Sequence, residues 1–125
     1  MKKAAILAAA ALAAMSGIAY ADGDAAKGAK IFNKCKACHV ADAATNRVGP
    51  HLKGVIGRKI ASVEGYAYSD DMKAFGAARN VWDDATFLEY ITDPKKDVPH
   101  TKMAFPGIKK EDERADLLAF LKTKI

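Results

Sequence analysis

Only two cysteines occur in these 125 residues, Cys35 and Cys38, and just two residues separate them. A bond between them would close a tiny loop and barely restrict the unfolded chain, so stapling by disulfides is excluded. No run alternates strictly between apolar and polar residues, which removes the signature of half-buried strands. No internal repeat and no linker-like stretch divides the chain. Proline is scarce: three of the four, Pro94, Pro99 and Pro106, fall in one late stretch. With 50% hydrophobic and 28% charged residues, the sequence is neither a disordered polymer nor a multi-span membrane protein.

One long apolar run is present. Residues 4–15 (AAILAAAALAAM) follow Lys2 and Lys3 and lead into the small-residue pattern Ala19-Tyr20-Ala21. A basic start, an apolar stretch and an A-x-A site form a secretory signal peptide, so residues 1–21 are expected to be cleaved after Ala21, leaving a single domain at 22–125. The alternative is a retained anchor, for which alanine is a weak residue. Cleavage removes two lysines and no acid, lowering the formal charge of +5 by two. A domain this short buries only about two-thirds of its unfolded surface. Small exported domains offset such a thin core with disulfides, a metal or a cofactor. With disulfides excluded, something bound is expected.

The periodicities predict an all-α chain with long loops. A helix is expected over 24–37 with Asp24 as N-cap, because Gly28, Phe32 and Cys35 share a face. Residues 42–65, punctuated by Gly49-Pro50, Gly54, Gly57 and Gly65, read as one irregular connection. A loop of that length inside a compact domain implies that it wraps something. A short helix is expected over 69–75, with Ser69 or Asp70 as its cap. A firmer one covers 83–92, where Phe87, Leu88 and Ile91 recur at helical spacing before Asp93-Pro94 stops it. Residues 94–107 read as irregular. The last helix is expected over 110–122, acidic at its start, with Leu117, Phe120 and Leu121 as its apolar stripe.

Cys35-Lys36-Ala37-Cys38-His39 is the C-x-x-C-H pattern of covalent c-type haem attachment. Each thiol can add to one haem vinyl group, a helical two-residue gap matches their separation, and His39 is then held under the ring to bind iron. Rival readings are weaker. A redox C-x-x-C expects a βαβ context. A zinc site needs a fourth ligand, which only His51 or His100 could add. A short disulfide leaves His39 unexplained. The sixth iron position has four candidates: Met72, Met103, His51 and His100. Met72 lies in a helical segment and fits the role of core filler. Met103 lies in PHTKMAFP (99–106), where irregular backbone can present a side chain to metal, and His100 ranks next.

The chain resembles the class I cytochromes c of the mitochondrial-like kind, closest to bacterial periplasmic members. The resemblance rests on GDAAKGAKIFNKCKACH (23–39), VGPHLKGVIGR (48–58), GYAYSDDMK (65–73), VWDDATFLEYITDPKKDVPHTKMAFPGIKK (81–110) and ERADLLAFLK (113–122). It implies an all-α cytochrome c fold around one covalently bound haem c, with thioethers at Cys35 and Cys38 and iron ligated by His39 and Met103. It also implies that the Pro50 carbonyl accepts the N–H of His39, an outer-shell bond that orients a metal-bound histidine. Arg58, Tyr68 and Trp82 match positions near the haem propionates, and Tyr90 and Thr101 match polar positions near the distal ligand. Gly28 and Phe32 are expected to meet Leu117 and Phe120 where the terminal helices cross. One departure stands out: the family pattern Pro-Gly-Thr-Lys-Met reads Pro99-His100-Thr101-Lys102-Met103 here. Glycine is often kept where another residue would be strained, so His100 is expected to affect this loop. It is expected to point to solvent while Met103 still binds.

The implied function is a monomeric periplasmic electron carrier, not an enzyme. It would shuttle single electrons from a membrane-bound cytochrome bc-type donor to an oxidase, a photosynthetic reaction centre or a periplasmic reductase. Lys34, Lys36, Lys53, Lys95, Lys96, Lys102, Lys109 and Lys110 flank the motifs and would steer the chain onto acidic docking faces of redox proteins. Nucleic acid is not an expected partner at this charge, and acidic lipid is a weak one. A haem-based ligand sensor or a weak peroxidase would need an open sixth position, and the peroxidase an acid–base group beside it.

Overall fold

The computed structural model describes residues 22–125; the expected signal peptide at 1–21 lies outside the described residues. Five helices follow in order: α1 Ala25–Ile31, extended by a 3-10 turn at Phe32–Lys34, then α2 Asp70–Arg79, α3 Asp84–Thr92, α4 Pro94–Asp97 and α5 Glu111–Lys122. Among the described residues the β pairing is a single isolated bridge, Lys59 to Val81, so the all-α expectation holds. No described helix is long and apolar enough to cross a membrane.

The caps explain where helices begin. Asp24 accepts from the N–H groups of Ala26 and Lys27, Ser69 from Met72, and Asp83 from Thr86, each satisfying donors that the first turn leaves free. α5 has no side-chain cap but carries Glu111, Asp112 and Glu113 in its first turn, where carboxylates suit the helix dipole.

Three boundaries differ from the sequence reading. The first helix does not run regularly to residue 37: it tightens at Phe32, and Cys35 to Cys38 form turns. Even so, His39 N–H donates to the Cys35 carbonyl at 2.9 Å, so the motif keeps one helical i to i+4 closure. α2 continues past Phe75 to Arg79, because Gly76 packs tightly on Ile60, where an added Cβ would stand 3.1 Å away. It stops at Asn80, whose φ is 71°. The proline-rich stretch contains a helical turn, α4, which opens on Pro94, a position whose N–H is not needed and whose φ is already helical.

The terminal helices α1 and α5 cross as expected. A Cβ on Gly28 would lie 1.9 Å from the Asp116 carbonyl oxygen and 2.7 Å from Phe120 Cβ, so only a bare α-carbon permits this approach. Phe32 and Phe120 pack with ring centroids 5.2 Å apart, and Leu117 and Leu121 are buried beside them. A second aromatic cluster joins Phe75, Trp82 and Tyr90, with the Trp82–Tyr90 centroids 5.0 Å apart. Between the two clusters the long loops wrap around a cavity.

Candidate haem site

The cavity measures about 620 Å³, within the range of small-molecule and cofactor sites. One wall is the segment from Cys35 to Leu52, and the opposite side includes Tyr90 and residues 101–105. All ten residues singled out from the sequence line it: Cys35, Cys38, His39, Pro50, Arg58, Tyr68, Trp82, Tyr90, Thr101 and Met103. Met72 lines it as well while packing against the hydrophobic core, as its core-filler role expects. His51 and His100 are absent from the lining. No described group of three His, Cys, Asp or Glu is arranged to hold a metal ion by itself, so the zinc reading finds no ligand set.

On the cysteine wall, His39 Nδ1–H donates to the Pro50 carbonyl at 2.7 Å. That bond assigns the proton to Nδ1 and leaves the Nε2 lone pair for a metal. Burial holds the His39 pKa below its ordinary value, with the Pro50 bond opposing and Arg58 assisting, so the imidazole is neutral and ready to ligate. Gly49 presses against the ring: a Cβ there would stand 2.4 Å from His39 Cε1. The glycine's part was not read from the sequence, although its place in Gly49-Pro50 was a usable signal. Burial pushes the free Cys35 thiol up to about 11, Lys34 pulling the other way, so before haem attachment this sulfur is a neutral thiol.

At the far side of this wall, Arg58 Nη1–H donates to the carbonyls of His51 and Lys53 at 3.0 and 3.2 Å. Its Nε is buried without a partner, and among the described residues no carboxylate pairs with it. A half-buried cation with a buried, free N–H beside an apolar cavity calls for an anionic ligand group. Tyr68 accepts the Val63 N–H at 3.0 Å, so its own O–H remains available to donate. Burial raises the Tyr68 pKa, keeping that proton in place. These donors fit carboxylates on a flat apolar ligand, as haem propionates are. Asn46 was not read from the sequence. It tethers the loop by accepting from His51 N–H at 3.0 Å and donating to the Glu64 carbonyl at 3.0 Å.

On the methionine side, Met103 N–H donates to Thr101 Oγ1 at 3.1 Å, and Phe105 N–H to the Met103 carbonyl at 2.9 Å. Tyr90 is buried and its phenol is pushed up to about 12, with Thr101 pulling the other way. His100 points to solvent, as expected, with its side chain 90% exposed. Its backbone is unstrained: among described non-glycine residues only Ala61 and Asn80 have positive φ. The position therefore does not require glycine. All eight lysines that flank the motifs are exposed, and Lys34 and Lys102 sit at the cavity mouth. Val48, also lining the mouth, is 74% exposed.

A second, more open depression of about 680 Å³ lies between α3 and α5, lined by Leu88, Glu89, Glu111 and Arg114 among others. It holds no cysteine, histidine or methionine, so the chemistry belongs to the first cavity.

Known proteins resemble this chain over most of its length. The family model of cytochrome c matches residues 25–124. Cytochrome c-554 of Methylosinus trichosporium is 52% identical over 112 residues, covering 89% of this chain and 83% of that protein. Cytochrome c2 of Rhodoblastus acidophilus is 51% identical over 100 residues, covering 79% of this chain and 91% of that one. The solved structure of cytochrome cH from Methylobacterium extorquens superposes with a TM-score of 0.74 at 50% identity, covering 82% of this chain and all of the other. The chain belongs to the cytochrome c family.

Proposed function

We propose that Cys35 and Cys38 hold the haem by thioether bonds, that His39 Nε2 and the Met103 sulfur ligate its iron, and that the chain works in the periplasm after cleavage behind Ala21. As a cytochrome c, the protein is an electron carrier with one covalently bound haem c. The bound haem supplies a one-electron couple between ferric and ferrous iron.

The reading is carried by convergence: ten residues chosen from separate segments line one cavity. Pro50 fixes the His39 tautomer at 2.7 Å, which orients the proximal ligand before and after electron transfer. Arg58, Tyr68 and Trp82 would receive the propionates, and the half-buried Arg58 would offset their charge. Tyr90 and Thr101 support the methionine loop. The apolar walls from Phe87, Ile91, Leu117 and Leu121 exclude water, so little reorganises when the charge on the metal changes. Among the described residues His39 is the sole imidazole on the cavity, so no second imidazole stands ready for the acid–base work of a peroxidase.

The donor is a membrane-bound cytochrome bc-type complex, and the acceptor an oxidase, a photosynthetic reaction centre or a periplasmic reductase. Docking uses the cavity mouth, with Lys34 and Lys102 as its cations and Val48 as its exposed apolar contact, against acidic faces. Transfer to such a partner is expected to slow as salt rises; a flat salt profile would contradict this surface. The primary test is the spectrum of the oxidised, reduced and pyridine-treated protein. Haem that resists extraction, a thioether-to-iron charge-transfer band and no carbon monoxide binding to the reduced form are expected. Extractable haem, or immediate carbon monoxide binding, would contradict the reading.

A further inference from the structure

The segment carrying Met103 is tied to the rest of the molecule at residue 100 by an unusual double contact. His100 backbone N–H donates to Asp71 Oδ2 at 3.0 Å, and His100 Nδ1–H donates to the same oxygen at 2.6 Å. Asp71 lies in the first turn of α2, 29 residues away in sequence. One more bond runs parallel to it: Lys102 Nζ donates to the Ala67 carbonyl at 2.8 Å. Segments 67–71 and 100–102 are thus strapped together beside the cavity mouth. Glycine at position 100 could supply the backbone arm but not the imidazole arm. With residue 100 out of the left-handed region, a side chain is tolerated there and finds a partner.

We propose that Asp71 and His100 form a latch that positions the Met103 loop and so keeps the methionine sulfur on the iron against competing ligands. The proposal rests on the assignment of Met103 as distal ligand. Asp71 is the stronger half, because it receives both hydrogen bonds. The His100 side chain contributes only one of the two arms, the other being its backbone N–H. Both groups reach solvent, with side chains 90% and 36% exposed for His100 and Asp71, so the latch tunes the loop instead of holding the fold.

The test uses the haem-loaded ferric protein at fixed neutral pH, with added imidazole as competitor and the thioether-to-iron charge-transfer band as readout. Asp71→Ala is expected to bind imidazole roughly threefold to fivefold more tightly than the wild type. His100→Ala keeps the band when no imidazole is present and shifts affinity less, since its backbone N–H still donates. Asp71→Asn partly rescues, because the amide oxygen still accepts that backbone bond. The guanidinium unfolding midpoint, governed by the α1–α5 packing, stays within error for all three. Unchanged imidazole affinity in Asp71→Ala overturns the latch, as does a tighter affinity explained by an equal loss of global stability. Loss of the band in His100→Ala before imidazole is added would show a latch stronger than its exposure suggests, whereas absence of the band in the wild type overturns the Met103 assignment instead.

Discussion

The two sides of the cavity are built by different means. On the cysteine wall, His39 is held by burial, by a 2.7 Å bond to a backbone carbonyl and by a glycine pressed on its ring. On the methionine side, Met103 sits in irregular backbone whose outer ties are Lys102 to Ala67 and His100 to Asp71, both at the surface. Packing in the interior resists small perturbations until it fails, whereas exposed polar ties are each worth little and yield one at a time. The distal ligand is therefore expected to be released well before the proximal one.

The largest expected effect breaks the strong side. Gly49→Ala puts a methyl 2.4 Å from His39 Cε1, so either the ring or the Pro50 carbonyl must move. A loss of ~3 kcal/mol in guanidinium unfolding is expected, together with a changed proximal-histidine signature in paramagnetic NMR. Wild-type stability in this variant would show that the wall is softer than its packing suggests. Next comes Arg58→Leu, which strips the donors from the His51 and Lys53 carbonyls and removes a half-buried cation. It is expected to cost about 2 kcal/mol and to lower the reduction potential, because a nearby positive charge favours the ferrous state.

The smallest effect probes the base of the methionine loop. Asp97 Oδ2 is buried without a partner, and burial raises its pKa above 3.8, with Glu89 adding to the shift. A carboxyl with a raised folded pKa takes up its proton more readily in the folded than in the unfolded state. Stability therefore falls as pH rises through that window and stays reduced at neutral pH. Asp97→Asn should raise the thermal midpoint slightly at pH 7, the gain vanishing as pH drops below 3.8. A loss of stability at pH 7 would mean that the carboxylate has a favourable partner.

Legibility in the sequence follows the same division. The cysteine wall could be read because its chemistry is local: Cys35, Cys38 and His39 are adjacent, and Gly49-Pro50 follows within one loop. Helix starts were legible for the same reason, since Asp24, Ser69 and Asp83 cap the turns that follow them. The end of α2 was not, because it depends on Gly76 meeting Ile60 and on Asn80 turning left-handed, neither of which leaves a periodic trace. α4 was hidden by the prolines, one of which opens it. The ties at Asp71 and Asn46 join residues far apart, and only the folded loops bring them together. His100 was legible as a departure from the family pattern, and its solvent-facing direction could be expected, but its partner could not.

The account turns on which sulfur completes the iron site, because both Met72 and Met103 line the cavity. The most direct measurement is the thioether-to-iron charge-transfer band of the ferric protein in Met103→Ala and Met72→Ala, side by side with the wild type. The band should vanish in Met103→Ala, with carbon monoxide then binding the reduced form, and should persist in Met72→Ala. A band that survives in Met103→Ala, or disappears in Met72→Ala, would contradict the assignment of the distal wall.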